Sequence, residues 1–490
     1  MITNTRERRI ERAVLDAMTG KTVIAPKGKS AGSGGWMIAE TADYDRALAM
    51  DPGQLTAFLE KTQLASLSEE DRLDLQVGSP KRQAFLTLLQ GEVSSRGVID
   101  VLRRGVNDGS VHRDLFFGMR SPSIPGLGRR FTQNRFSLIP RLKYSQDDTC
   151  SPVDLCLFIN GLPIATMELA DGLTKQSVDD AIDTYKGIDA SEEPLFQSGR
   201  CMAHFAVDEE QVFVCSELRG DKSDFRPFNQ GASDAAANPA NLFGIATDYL
   251  WRQILTRPGV IDLIENFAQS MHVGDEHAEA ASRVPVFPRY HQLEVVRRLV
   301  IDAEQHSVGY RYLIQHAPGT GSSYSIGWLV NQLIGLQQDS IRIFDSTFVV
   351  TDRPSIERRL KDTVRGFSRI SGRLGEETRA SARLHQCIDG GMSIIIASVE
   401  QLPLVLDEVD ASQRGRRFAF IIDETPPVGS TGAVAEELVN RAMQGRERLP
   451  NASTFVFAPT ANDTTLQLFG QPFNDRGQIR YRPFHQYGAS

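Results

Sequence analysis

The sequence predicts an α/β protein: a mixed sheet with flanking helices, followed by a parallel sheet covered by helices on both faces. Three observations carry that expectation. The segment 131–170 is dense in strand-like apolar runs. At its centre, Asn160-Gly161 stands between two such runs, among the strongest short-range hairpin signals. Beyond residue 286, short apolar runs alternate with helical patterns, as strands buried on both faces of a parallel sheet do.

Composition sets the frame. The chain has 490 residues, more than one ordinary domain holds. Hydrophobic content of 41% and charged content of 24% are those of a soluble globular protein. A net charge of −8 argues against a surface generally basic for DNA, while leaving room for a local basic cleft. No apolar run approaches the roughly 18 residues of a membrane helix, and the N-terminus lacks the apolar core of a signal peptide. The five cysteines (Cys150, Cys156, Cys201, Cys215, Cys387) are scattered, odd in number and form no CxxC pair. A reduced cytoplasmic protein without zinc is the expectation.

Taken in order, 6–19 reads as an amphipathic helix with Ile10, Val14, Leu15 and Met18 on one side. The Gly- and Ser-rich stretch 24–35 reads as a loop. Helical patterns cover 54–62 and 80–104, strand patterns 131–170, a helix 174–187, strands 201–207 and 211–217, and a helix 239–270. Residues 271–285 are polar and short of apolar periodicity, so they read as a linker between units 1–270 and 286–490. The second unit then runs helix 289–304, strand 311–316, helix 324–336, strand 346–351, helix 354–364, and strands 393–398, 417–422 and 453–458.

Two constellations stand out. In the hairpin, a three-residue loop at 160–162 would pair Ile159 with Pro163, so that Asp154 faces Glu168 on one side of the sheet, followed on that side by Ala170. Two carboxylates so close repel unless a divalent cation lies between them, and such a cation could assist phosphodiester cleavage. A lone pair of acids at this spacing is common by chance. In the second unit, His316-Ala317-Pro318-Gly319-Thr320-Gly321-Ser322-Ser323 follows a strand and opens a helix, the setting of a phosphate-binding loop. Ser322 stands where such a loop needs lysine, and Ser323 keeps the hydroxyl for Mg2+. Phe420-Ile421-Ile422-Asp423-Glu424-Thr425-Pro426 is an apolar strand ending in two acids.

The wording around these sites resembles a known family. Phe131-Thr132-Gln133-Asn134-Arg135-Phe136, Arg141-Leu142-Lys143-Tyr144-Ser145, Phe158-Ile159-Asn160-Gly161-Leu162-Pro163, Arg200-Cys201-Met202-Ala203-His204-Phe205 and Phe225-Arg226-Pro227-Phe228-Asn229-Gln230-Gly231 resemble the N-terminal region of the R subunit (HsdR) of type I restriction enzymes. That resemblance implies a PD-(D/E)xK nuclease domain over 1–270 with Asp154 and Glu168 as metal ligands. The family lysine falls at Ala170, and the family glutamine before Tyr185 falls at Ala181. Lys175 and Lys186 are the candidates to substitute for the missing ammonium.

Phe287-Pro288-Arg289-Tyr290-His291-Gln292 resembles the adenine-reading Q motif of superfamily 2 helicases, implying a first RecA-like domain over 286–490. By that resemblance Gln292, Gly319, Gly321, Ser322, Ser323 and Asp423 would hold ATP and Mg2+, and Glu424 would orient the attacking water. Thr425-Pro426 and Ala458-Pro459-Thr460-Ala461-Asn462 depart from the family motifs. No second RecA-like domain is read, nor the region that docks on the methyltransferase and specificity subunits. The resemblance thus implies a prokaryotic cytoplasmic DNA-binding protein, impaired in both sites and holding Mg2+ and ATP weakly. The alternatives are a weak metal-dependent nuclease and a regulatory pseudoenzyme that binds DNA or a partner.

Overall fold

The structure is a computed structural model that describes residues 9–20, 34–63, 74–119, 127–171, 176–231, 237–273, 282–339, 341–353, 356–358, 360, 362–363, 391–402, 405–406, 415–423 and 450–488. Two compact units emerge, one of Met1–Gly231 and Ala235–Arg289, the other of Ala232–Asp234 and Tyr290–Ser490. The expected class is the one observed: a mixed sheet with flanking helices, then a parallel sheet with helices.

In the first unit, α1 (Arg9–Thr19) buries Ile10, Val14 and Met18, the face its periodicity marks. Strand β1 is Met37–Ile38. Helix α2 (Pro52–Thr62) is capped by Asp51, whose carboxylate accepts from Gln54 N. The pattern at 80–104 is not one helix but two, α3 (Pro80–Arg96) and α4 (Val98–Arg104). Gly97 breaks it at φ +81°, a conformation costly for other residues. A small hairpin, β2 (Val106–Asp108) with β3 (Val111–Arg113), follows. Then come β4 (Phe136–Leu142), β5 (Val153–Ile159), β6 (Leu162–Leu169), α5 (Val178–Lys186), β7 (Ala203–Val207), β8 (Val212–Cys215) and β9 (Arg226–Pro227). The seven-stranded sheet has the order β1-β4-β5-β6-β7-β8-β9. Only β1/β4 and β6/β7 are parallel pairs.

The helix expected over 239–270 is largely absent. A single π turn, Leu250–Ile254, and α6 (Arg257–Asn266) remain. Pro239, Gly244 and Pro258 interrupt the apolar pattern, and Thr256 recaps the chain by accepting from Gly259 N. Parts of the stretch read as a linker are strand: β10 (Gln269–Val273) pairs antiparallel with β11 (Ser282–Val286) within the first unit. The alternation Ser282-Arg283-Val284-Pro285-Val286 was too short to stand out as periodic.

The second unit opens with α7 (Tyr290–His306), β12 (Arg311–His316) and α8 (Ser322–Gly335). A small hairpin, β13 (Gln337–Gln338) with β14 (Ile341–Arg342), precedes β15 (Ser346–Val350) and β16 (Ile394–Ala397). After β17 (Phe418–Asp423), β18 (Ala452–Ala458) and α9 (Asp463–Phe469) come the hairpin β19 (Gln471–Asp475) and β20 (Gln478–Arg482), and β21 (His485–Tyr487). Every pair in its six-stranded sheet is parallel, in the order β16-β15-β17-β18-β12-β21. One face packs Leu313, Phe348, Val350, Ile395, Phe420, Ile422 and Val456 into a continuous core, the alternate residues that strand geometry puts on one side. Strand β21 (His485–Tyr487) forms the sheet edge, where His485 Nδ1 lies 2.8 Å from His316 Nε2. Helix 354–364 lies only partly in the described residues; 356–358 are helical. No helix among the described residues is long and apolar enough to cross a membrane.

The β5–β6 turn shows how the sequence sets register. It is a two-residue turn, with Ile159 paired to Leu162, rather than the expected three-residue loop. Asn160 and Gly161 both have positive φ (+51° and +82°), as a type I′ turn requires. A bulge at Ile164 adds one residue on β6 and brings Leu155 opposite Met167. The extra residue restores the register that the longer loop would have given.

Asn160 is also a buried hub. Its Oδ1 accepts from Arg135 N, and its Nδ2 donates to Leu115 O and Asn134 Oδ1. Asn160→Ala strands those partners and loses the tolerance for positive φ, so it should destabilise the first unit by about 2 kcal/mol or more. Thermal unfolding measures the loss, and an unchanged melting temperature would contradict the role given to this side chain.

Candidate functional site: an acid pair and a glycine loop

Because Leu155 pairs with Met167, the residues beyond them, Asp154 and Glu168, face each other on the opposite side of the sheet. Their carboxyl groups share a hydrogen bond. Asp154 Oδ2 also accepts from Leu169 N at 2.8 Å, which fixes the aspartate against the end of β6. Glu168 is buried, and its pKa is pushed well up by desolvation, then by the charge of Asp154 and the hydrogen bond to it. Asp154 is raised more modestly, by desolvation, against hydrogen bonds from Leu169 and Glu168 that favour its charged form. The proton of the pair therefore resides on Glu168.

Among the described residues, no lysine forms an ion pair or hydrogen bond with either acid. Ala170 is buried in an apolar cluster with Val178, Ala181, Ile182 and Ala206. The two positions where the family resemblance calls for lysine and glutamine, 170 and 181, are thus both methyl groups in that cluster. Lys186 lies beside Asp183, 3.9 Å away, instead of the acids. Lys175, the other candidate, lies outside the described residues. A guanidinium does come near: Arg141 sits on β4 between the pairs Pro140/Leu155 and Leu142/Val153, alongside Asp154. It favours the ionised aspartate, though least among the influences on it, and it pairs with Glu11 of α1 at 3.6 Å. Its φ of +53° is unusual for a non-glycine residue within a strand.

Tyr185 is fully buried and does not reach the carboxylates through a hydrogen bond among those observed. Its hydroxyl lies 2.8 Å from Thr166 Oγ1, which lies 2.8 Å from His204 Nδ1. Burial lowers the His204 pKa to about 3, so the ring is neutral and the relay carries no charge. Thr166 and His204 were not singled out from sequence. Their clue is register: Thr166 pairs with His204 across β6/β7 and lies two residues from Glu168 on the same face.

In the second unit, Gly319 and Gly321 both take positive φ (+83° and +85°) as β12 turns into α8. Gly321 caps that helix, and Ser322 and Ser323 are its first residues. Gln292 Nε2 donates to Thr320 O and Gly321 O at 3.0 and 3.2 Å, so this side chain braces the loop. A Cβ on residue 321 would come within 2.4 Å of that nitrogen. Asp423 is buried at the end of β17 and is held by Arg353, with Nε to Oδ2 at 2.7 Å and Nη2 to Oδ1 at 2.9 Å. Thr351 Oγ1 donates to Oδ2 at 3.1 Å. Glu424, Thr425 and Pro426 lie outside the described residues, and Asn462 accepts from Thr465 N to cap α9.

Two acids with a shared proton fit a divalent cation, which would displace that proton. No group of three or more His, Cys, Asp or Glu suited to a metal occurs among the described residues, so such a cation would lean on solvent or phosphate oxygens. The glycine loop fits its expected ligand poorly. Position 322 offers a hydroxyl instead of an ammonium, and both oxygens of Asp423 are committed to a guanidinium.

Residues 128–223 match the family described as the N terminus of the type I restriction enzyme R protein, so the acid-pair segment is R-subunit-like. No curated protein matches the chain. Among solved structures, the chain is similar to a fragment of a putative HsdR subunit of a type I restriction enzyme from Vibrio vulnificus YJ016. Identity there is 14%, over 69% of this chain and 50% of that one, with a TM-score of 0.26. It is also similar to the DEAD-box helicase Mss116 bound to ssRNA and UDP-BeF, at 18% identity over 35% of this chain and 36% of that one, with a TM-score of 0.24. This chain thus spans half or less of those chains, and TM-scores this low carry no functional argument.

The raised Glu168 pKa has a consequence for stability. A group whose folded pKa lies above its unfolded value stabilises the fold at low pH and loses that contribution as pH rises through the folded pKa. Melting temperature should therefore fall as pH climbs above the ordinary glutamate range, and Glu168→Gln should flatten the decline. Identical pH profiles for the two proteins would place the proton elsewhere.

Proposed function

We propose that this chain is a homologue of the type I restriction R subunit that engages DNA through its first unit but is impaired in both cleavage and ATP hydrolysis. In this reading the first unit, which runs to Arg289, forms the restriction-endonuclease-like domain, and Tyr290–Ser490 the first RecA-like domain. Its setting is the prokaryotic cytoplasm, and methyltransferase or specificity subunits are candidate partners.

The observation that carries the reading is the methyl group of Ala170 in an apolar cluster, two residues beyond the strand position where Glu168 faces Asp154. Asp154 and Glu168 would hold Mg2+, which when bound supplies Lewis-acid activation of water and neutralises charge on the phosphate. The chain's own part is to aim the two carboxylates, through the turn at 160–161 and the Leu169 amide. Without a positioned cationic donor the rate falls by roughly 10²–10³, by analogy with loss of an oxyanion-hole donor. Ser322 supports the same reading for the ATPase, since no lysine offsets the β- and γ-phosphate charge there.

A second reading, a weak metal-dependent nuclease, is favoured by the geometry of the pair itself: two acids facing each other across β5 and β6.

Plasmid nicking with Mg2+ or Mn2+ separates the two. The unmodified chain should leave supercoiled DNA intact while Ala170→Lys gains nicking activity. Robust cleavage by the unmodified chain, lost in Asp154→Ala, would establish the second reading instead. For the other site, calorimetry should show weak ATP binding that Ser322→Lys strengthens at least about tenfold, and submicromolar affinity of the unmodified chain would defeat the proposal.

A further inference from the structure

We propose that Arg353 is the resident counter-cation of Asp423, holding the place a divalent cation would need, and that withdrawing it opens a cation site built on Asp423 and Thr351. The inference goes beyond the functional reading above and does not depend on it.

The Asp423 carboxylate is fully buried, and a buried charge survives only when it is paired and hydrogen-bonded. Here the partner is a two-pronged guanidinium at 2.7 and 2.9 Å, the geometry in which arginine binds carboxylates most strongly. The guanidinium is held from its own backbone. Thr351 lies one residue beyond the Val350/Ile422 pair of β15/β17, beside Asp423, and its hydroxyl accepts from Arg353 N while donating to Asp423 Oδ2. Between them, Asp352 Oδ1 accepts from Val399 N, which ties this turn to the segment following β16.

The turn is therefore fixed on both sides, and Arg353 is presented to Asp423 rather than reaching for it. A hard divalent cation needs carboxylate oxygens with open lone pairs and no neighbouring positive charge. Both oxygens face nitrogen donors instead, and a second cation there would sit against the guanidinium. With the arginine removed, Asp423 and Thr351 contribute a carboxylate and a hydroxyl, oxygen ligands of the kind Mg2+ and Mn2+ take.

The test uses the full chain carrying Asp154→Asn and Glu168→Gln, so that any response to metal comes from the second unit. Thermal unfolding of that protein should be the same in EDTA and in millimolar Mg2+ or Mn2+. Adding Arg353→Ala should lower the melting temperature by about 6 °C or more in EDTA, and millimolar Mn2+ should recover at least about half of the loss, with saturable binding by calorimetry. Adding Asp423→Asn as well should abolish the recovery. Should Arg353→Ala fail to fold, Arg353→Lys should melt lower and stay indifferent to metal. A metal-dependent rise in melting temperature with Arg353 present, abolished by Asp423→Asn, would overturn the proposal. So would an Arg353→Ala protein as stable as its parent, or one that no metal rescues.

Discussion

The geometry of the acid pair depends on a two-residue turn that lets the chain reverse at Asn160-Gly161. The turn alone would leave the strands one residue out of step, and in a sheet that error sends a side chain to the opposite face. The bulge at Ile164 corrects it, and it is anchored: Met202 N donates to Ile164 O at 2.8 Å. Gly161 in turn packs against α2, where Asp51 N donates to Gly161 O and a Cβ would meet Asp51 O at 2.3 Å. The two carboxylates are placed by these backbone contacts before any of their own chemistry matters.

Once side by side, the acids must manage their charge. Glu168 is buried and Asp154 half-buried, the Arg141 guanidinium is shared with Glu11, and the neighbourhood of Ala170 is apolar. The least costly solution is a proton, which desolvation drives onto Glu168. An apolar cluster joins α5 to Ala170, just beyond β6, and to Ala206 of β7. Tyr185, Thr166 and His204 form a separate buried hydrogen-bonded chain, in which burial keeps the imidazole neutral.

What the sequence revealed follows the range of the forces involved. Asn160-Gly161 announces its turn locally, and the apolar strands of the second unit announce theirs because both faces are buried. The facing of Asp154 and Glu168 was legible, since it needs only alternation and a loop count. The loop differs from the expected one because its turn is fixed by contacts with the start of α2 and its bulge by Met202, both far away in sequence. Gly97 and Pro258 are visible breakers, yet the apolar periodicity on either side of them continues across the break. Arg353 was invisible as a partner of Asp423, because 70 residues separate them and nothing local marks the pairing.

Both candidate sites pose the same electrostatic problem and solve it differently. Each keeps a buried acid at the end or edge of a strand, where a phosphate-processing site would supply a metal ion or a lysine. The first unit meets the charge with a proton, which a divalent cation can displace as pH rises. The second meets it with a guanidinium from its own backbone turn, which does not leave with pH because arginine stays charged. Retained acids are therefore weak evidence of retained chemistry. A carboxylate can be kept because the fold has given it a different partner, and the identity of that partner, proton or arginine, decides whether a metal can still enter.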